Sequence, residues 1–145
     1  MAGNAADIKH LTLGARIFAN QGKFDKAAEY CRSAIKRNKL DPELHYLYAT
    51  VLSETGQPDE AAKQLRSALF LDHNFILAHF MLGNLYSQKD NMKTSKRHFC
   101  NVLRLLQDFD PKSVLPASEG MTAGRIKEVV EAIMVDQNTK RSSIS

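Results

Sequence analysis

The sequence predicts an all-α fold, an α-solenoid of three helix pairs followed by a capping helix. Three observations support this prediction. One pattern of small, large and turn residues occurs three times with a constant step of 34 residues, as from Gly22 to Gly56. A turn signal divides each copy in two, and an apolar stripe with helical spacing follows the third copy. The copies occupy residues 8–41, 42–75 and 76–109, without insertions.

The residue types at equivalent positions define the repeat. The turn position holds Gly22, Gly56 and Asp90. Four further positions also recur every 34 residues, three of them mostly small and one larger: Ala15, Ala49 and Gly83; Ala27, Ala61 and Ser95; Ala34, Ala68 and Val102; and the larger Cys31, Leu65 and Phe99. A fixed period of this length, with small residues where helices approach closely, is typical of the tetratricopeptide repeat (TPR).

Capping signals give the expected helix boundaries. Asp7 is the expected N-cap of the first helix. Pro42 and Pro58 fit the first turns of the third and fourth helices, where the missing N–H costs nothing. The first helices of the pairs are expected at 7–20, 42–55 and 74–88, and the second helices at 24–38, 58–71 and 91–107.

The two ends of the chain are expected to differ from the repeats. Residues 1–7 are expected to form a flexible lead and 110–121 a connector. A capping helix is expected over 122–136, with Thr122 as its N-cap, because an apolar stripe could cover the exposed face of the third repeat. The polar residues 137–145 are expected to be a disordered tail. The stripe consists of Ile126, Val129, Val130, Ile133 and Met134.

Charge and hydrophobicity restrict the class of protein. The net charge is +4, but the first repeat holds 8 basic and 3 acidic residues, the second 2 and 5, and the third 5 and 2. Such alternation predicts a polarised protein-binding surface and argues against a nucleic-acid track. No apolar run approaches the ~20 residues needed to cross a bilayer, so no membrane insertion is expected.

No residue pattern indicates catalysis, a metal or a cofactor. His45 and His79 are 34 positions apart and occupy the same position on the third and fifth helices, where many repeats have a large packing side chain, so they are expected to pack at the edge of the core. A zinc site would need three or four converging ligands, and no H-x-x-H or C-x-x-C pair is present. The segment Gly120–Gly124 is weakly similar to a phosphate loop, but a turn leading into the last helix explains it better. Cys31 and Cys100 lie two repeats apart, so no disulfide is expected. The chain is not predicted to be an enzyme, and no cofactor is predicted.

The first helix of each pair provides the candidate binding site. Positions on these helices that pack neither on the partner helix nor on the next repeat share one face, which we call the inner face. Tyr46 and Phe80 occupy the same inner-face position, and aromatic rings beside amide and guanidinium donors suit peptide binding. An alternative is that both rings only fill gaps between helices. The candidate site residues are Arg16, Asn20, Tyr46, Thr50, Glu54, Phe80, Asn84 and Gln88.

Some TPR domains bind chaperone tails through a lysine and asparagine clamp that holds a C-terminal carboxylate. The two clamp positions hold Thr12 and Arg16 here. The clamp is therefore not matched, and a chaperone-tail adaptor is not expected.

Two longer segments resemble a more specific family. The run from Phe75 to Tyr86, and the run from Leu115 to Ile126 that reads LPASEGMTAGRI, resemble the C-terminal TPR region of bacterial chemotaxis-receptor methyltransferases of the CheR type. The resemblance implies an upstream S-adenosylmethionine-dependent domain that esterifies receptor glutamates, which this chain does not contain. It suggests a regulatory C-terminal fragment rather than the enzyme.

The sequence therefore predicts a cytoplasmic protein–protein interaction module that binds a protein or peptide. The resemblance suggests as partners the upstream methyltransferase domain, or receptor and response-regulator components of a chemosensory array. A general TPR scaffold unrelated to methylation is the alternative. A nucleic-acid-binding helical repeat is a further alternative, which the acidic second repeat argues against.

Overall fold

The computed structural model describes residues 5–144, and side chains over 6–140. In this part of the chain there are seven helices and no β-strand, so the predicted all-α fold class is confirmed. The helices are α1 (Ala5–Asn20), α2 (Phe24–Arg37), α3 (Pro42–Glu54), α4 (Pro58–Leu71), α5 (Ile76–Gln88), α6 (Met92–Leu106) and α7 (Ala123–Ile144).

The chain forms two compact units, Met1–His73 and Asn74–Ser145. In the first unit, α1 packs on α2, α2 on α3, and α3 on α4. In the second unit, α5 packs on α6, and α6 on α7. Each helix pair is an antiparallel hairpin, which is the supersecondary element of a TPR.

The turn inside each pair requires a left-handed residue, as the repeat pattern predicts. Gly22 and Gly56 both have φ of 74°, and Asp90 has φ of 58°. Glycine adopts this conformation without a steric penalty, and aspartate is one of the few other residues that tolerate it. After Gly22, the backbone N–H of Lys23 donates to the carbonyl of Phe18 at 2.8 Å, which closes the end of α1.

The first unit has a core of small side chains between α1, α2 and α3. Ala15, Ala27 and Cys31 are completely buried there. Phe18 and Tyr30 border this core with ring centroids 5.1 Å apart in an edge-to-face arrangement. Small residues at these positions allow the helix axes to approach, so the larger rings surround the contact instead of filling it.

The second unit places a bulky residue opposite a glycine. Phe99 on α6 is completely buried. A Cβ atom on Gly83 of α5 would lie only 2.5 Å from the ring of Phe99. Ser95 strengthens the same contact, because its hydroxyl donates to the carbonyl of Gly83 at 2.7 Å. The α5–α6 contact therefore depends on the absence of a side chain at residue 83.

The starts of α3 and α1 test the capping predictions. Asp41 caps α3 by accepting from the N–H of Glu43 at 2.9 Å, and Pro42 follows in the first turn. The predicted cap at Asp7 is wrong, because α1 begins at Ala5 and Asp7 lies in its first turn. An acidic residue there still interacts favourably with the helix dipole. Of the expected flexible lead, residues 5–7 are helical and 1–4 lie outside the described residues.

Helix α7 covers α6 through the predicted stripe. Ile126 and Val130 are completely buried, and the other three stripe residues are half-buried. Thr122 caps the helix as predicted, because its hydroxyl accepts from the N–H of Arg125 at 3.1 Å. Burying such a side chain contributes about 1.5–3 kcal/mol, so α7 contributes substantially to the second unit.

The structure differs from the expected disordered tail, because α7 continues from Asp136 to Ile144. Gln137 explains this extension. Its side chain is 6% exposed, and its amide Nε2 donates to the hydroxyls of Ser95 at 2.9 Å and Ser87 at 3.3 Å. Gln137 thus holds a further turn of α7 against the second unit. The apolar stripe ends before this residue, so the stripe alone could not predict the additional turn. Ser145 lies outside the described residues.

Over residues 5–144, none of the helices combines the length and apolar character required to cross a membrane.

Candidate functional site

In the first unit, the predicted inner-face residues lie on two helices that contact each other, α1 and α3. Arg16 and Asn20 are one turn apart on α1, and Tyr46, Thr50 and Glu54 follow the same spacing on α3. Residues four apart share a helix face, so each helix presents one row. Asn20 and Glu54 are exposed, whereas the other three are half-buried.

In the second unit, Phe80, Asn84 and Gln88 form one row along α5. Gln88 is exposed, and Phe80 and Asn84 are half-buried. The ring of Phe80 also packs on Phe99 with centroids 6.2 Å apart. Phe80 therefore contributes to the core and keeps part of its surface exposed, which agrees partly with each sequence-based interpretation. Leu77, one turn before Phe80 on α5, is buried, at 3% exposed.

The hydroxyl of Thr50 is less available than the sequence suggested. It donates to the carbonyl of Leu47 within its own helix, at 2.7 Å. Thr12 on α1 does the same toward Ile8, at 2.8 Å. The oxygen of Thr50 can still accept a hydrogen bond, but its proton is already donated.

His45 and His79 lie at the edge of the core, as predicted, at 9% and 8% exposed. The Nε2 atom of His45 donates to the carbonyl of Lys39 at 3.0 Å, and Nδ1 lies 2.8 Å from the side-chain amide of Gln64. These contacts fix the segment between α2 and α3 against α4. Among the described residues, no three His, Cys, Asp or Glu side chains group together in a way that could hold a metal ion.

His79 contacts His98, and the Nδ1 atoms of the two rings are 3.1 Å apart. His98 also stacks on Tyr86 with ring planes 4° apart. Burial, and then the charges of His79 and Arg97, lower the pKa of His98 from 6.5 to about 4. At neutral pH one neutral ring can donate to the other, so the pair is a structural contact.

Two backbone amides at the start of α7 are already bonded within the protein. The N–H of Ala123 donates to the carbonyl of Ser113, and the N–H of Gly124 to that of Pro111, both at 2.9 Å. A Cβ atom on Gly124 would lie 3.0 Å from the Pro111 carbonyl oxygen. The glycine allows the connector to approach the helix start, and this explains the segment without a ligand.

Helix α6 carries the basic side chains Lys93, Lys96 and Arg97, and one of them is bonded within the second unit. Lys93 and Arg97 are exposed, but the ammonium group of Lys96 donates to the side-chain oxygen of Asn138 on α7, at 2.9 Å. A cavity of about 820 Å³ lies beside it, bordered also by Met92.

Sequence reasoning missed one surface on the first unit. We call it the outer groove and define it by the apolar side chains of Leu40 and Phe70 and the cations Lys39, Lys63 and Arg66. Its volume is about 480 Å³. The signal for it is a departure from the repeat pattern. The position of Phe70 holds Lys36 in the first repeat and Arg104 in the third.

Comparison with known proteins agrees with this architecture. The family model of the tetratricopeptide repeat matches residues 19–85. Tetratricopeptide repeat protein 37 of Xenopus laevis is 27% identical over 103 residues, which cover 71% of this chain. The chain spans only 6% of the length of that relative.

Two solved structures show the same fold at low sequence identity. The type III secretion translocator chaperone SycD of Yersinia enterocolitica has a TM-score of 0.76 and 15% identity, over 89% of this chain and 91% of its own. The first TPR domain of Spaghetti, bound to an HSP90 peptide, has a TM-score of 0.71 and 14% identity, over 93% and 98%. None of the three proteins is described as a methyltransferase. Residues 19–85 therefore match the tetratricopeptide repeat model, and the helices of the chain have the fold of a solved TPR domain.

Proposed function

We propose that this chain is a protein–protein interaction module that binds an extended protein segment through its inner-face rows. The observation that carries the proposal is the partial exposure of Tyr46 and Phe80, which occupy equivalent positions on α3 and α5. A ring that is held by packing and still partly exposed can bury its remaining surface against a partner with little loss of side-chain entropy.

Polar groups next to the rings would orient the bound segment. On α3 these are Thr50, through its oxygen, and the exposed carboxylate of Glu54, and on α5 they are the amides of Asn84 and Gln88. Side-chain amides both donate and accept, so they can bond the main chain of an extended peptide. Arg16 and Asn20 on α1 add a cation and a further amide for an acidic or polar end of the segment.

A peptide ligand is consistent with one protein of similar fold, the Spaghetti TPR domain, which was solved with an HSP90 peptide. The residues of this chain do not favour the same ligand. Thr12 and Arg16 replace the lysine and asparagine of the carboxylate clamp, and the hydroxyl of Thr12 donates within α1. We therefore propose an internal segment of a partner protein, not a free C-terminus.

The test is a peptide selected against the whole chain from a displayed random library, followed by affinity measurements on variants. Tyr46→Ala and Phe80→Ala should each weaken binding by about 2 kcal/mol, roughly thirtyfold. Phe109→Ala is the matched control, because Phe109 is a partly exposed ring outside the inner face. Unchanged affinity in both inner-face variants, with folding intact, would place the binding surface elsewhere.

We further propose that the module is the regulatory C-terminal part of a chemotaxis-receptor methyltransferase and acts in the cytoplasm. The support is the sequence resemblance of residues 75–86 and 115–126 to that family. The partners would then be the methyltransferase domain, a receptor or a response regulator. Titration calorimetry of the chain against a purified methyltransferase domain, a receptor cytoplasmic fragment and a response regulator tests this. Absence of binding to all three would favour a general TPR scaffold.

A further inference from the structure

We propose that the outer groove of the first unit is a second docking site, which binds an acidic protein segment by an apolar anchor residue between carboxylates. The groove lies between the segment after α2 and the outer side of α4. Its residues are distinct from every inner-face residue, so the two sites can be occupied and tested independently.

Two large apolar side chains are exposed in the outer groove. Phe70 is 89% exposed and Leu40 is 76% exposed, the highest values among the exposed large apolar residues of the described chain. Both border the same space. Single exposed apolar residues are ordinary, but an aromatic and an aliphatic side chain exposed together around a concave surface are typical of a protein-binding site.

The other repeats have polar side chains at the positions of Phe70 and Leu40. The position of Phe70 holds the exposed cations Lys36 and Arg104, and the position of Leu40 holds the exposed polar residues Asn74 and Asp108. The same helix pair thus forms with polar residues at both positions. Folding does not explain the apolar residues of the first unit, and a partner would.

The charged side chains around the outer groove are positive. Lys39, Lys63 and Arg66 border the groove, and no carboxylate is among the side chains that line it. A segment that carries carboxylates on both sides of an apolar residue would match the cations and fill the space between Leu40 and Phe70.

The groove is also preformed. His45 is nearly buried beneath it and bonds both the Lys39 carbonyl and the side-chain amide of Gln64. These contacts hold the Lys39–Leu40 segment in place before a ligand binds, which reduces the entropy lost on binding. An acidic protein segment fits better than a nucleic acid, because Asp59 and Glu60 open the same helix and would repel a continuing phosphate backbone.

The experiment uses the whole chain and a labelled peptide of glutamate and aspartate residues around one phenylalanine, with fluorescence anisotropy as the measurement. Phe70→Lys and Leu40→Asn install side chains of the kinds found at the equivalent positions. Each should weaken binding roughly tenfold or more. Their melting curves should match the wild type, because the equivalent positions tolerate polar residues.

Arg66→Ala and Arg32→Ala form a matched pair, because both arginines occupy the same position of consecutive repeats and only Arg66 borders the groove. Arg66→Ala should weaken binding several-fold and reduce its salt dependence, whereas Arg32→Ala should leave both unchanged. Tyr46→Ala should have no effect, which separates this site from the inner face.

Three results would overturn the proposal. These are no measurable binding of the peptide, binding to Phe70→Lys as tight as to the wild type, and tighter binding of single-stranded oligothymidine than of the peptide to the same residues. The last result would assign the groove to nucleic acid.

Discussion

Replacing Gly83 with alanine tests the packing of the second unit most sharply. The new methyl group would lie 2.5, 2.7 and 2.8 Å from three ring atoms of Phe99. Carbon atoms pack best at about 3.5–4.0 Å, so the ring must move by about 1 Å. Phe99 is completely buried and has no exposed side toward which it can turn.

Two opposing terms decide the size of the effect. Overpacking of a core costs about 1–3 kcal/mol. Exchange of glycine for alanine inside a helix recovers about 1 kcal/mol. We therefore expect Gly83→Ala to lower the free energy of unfolding by about 1 kcal/mol, although the same exchange on an exposed helix face would raise it.

The repeat pattern supplies the compensating change. The second repeat combines Ala49 and Leu65 at these positions. Phe99→Leu alone should leave a cavity and destabilise the protein, but in the double variant the alanine methyl occupies part of that space. The two substitutions should therefore be coupled by about 1–3 kcal/mol in the favourable direction.

Urea denaturation of the wild type, both single variants and the double variant, followed by circular dichroism, measures this coupling. Effects that add to within about 0.5 kcal/mol would show that residues 83 and 99 do not compete for one space. Such a result would contradict the close α5–α6 contact.

Three further predictions concern cysteine, histidine and the end of α7. Burial raises the pKa of the Cys31 thiol to about 12. A thiol reagent should therefore label only the exposed Cys100 in the native protein, and both cysteines after unfolding. Rapid labelling of Cys31 in the native protein would contradict its burial in the core. Because burial, then the charges of His79 and Arg97, lower the pKa of His98 to about 4, the folded state binds fewer protons than the unfolded state between that value and 6.5. Stability should therefore be complete above about pH 6.5 and fall toward pH 4, and His98→Gln should flatten that fall in a pH series of melts. Truncation after residue 136 removes the bonds of Gln137 and should cost about 1–3 kcal/mol, whereas an unchanged melting temperature would mean that this turn does not dock.

Most of the fold can be predicted from the sequence, because residues that pack in the same way occur at equivalent positions in all three repeats. A single glycine, such as Gly22 or Gly56, is compatible with many kinds of turn. Asp90 occupies the equivalent position of the third repeat and is also left-handed, so the position in the repeat, and not the residue type alone, determines the turn conformation. Helix boundaries were less predictable. Asp7 has the chemistry of a cap but lies in the first turn of α1, since a single residue does not specify where a terminal helix begins.

The features that sequence reasoning missed depend on single side chains outside the repeat pattern. Gln137 is polar and follows an apolar stripe, so periodicity alone ends the helix before it, although its amide is buried against Ser95. Phe70 falls at a position that other repeats fill with cations, and only the structure shows that it shares a groove with Leu40. For Phe80 the sequence left exposure and packing open, and the structure shows both, because its contact with Phe99 buries part of the ring.

Site-specific photo-crosslinking shows directly whether the inner-face rows bind a protein segment. A photoreactive phenylalanine analogue would replace Tyr46 or Phe80, with Phe109 as the control position. With a peptide selected against the whole chain, we predict crosslinks to the peptide at residues 46 and 80 that excess unlabelled peptide abolishes, and none at residue 109. Crosslinking at residue 109 with none at residues 46 and 80 would contradict the account.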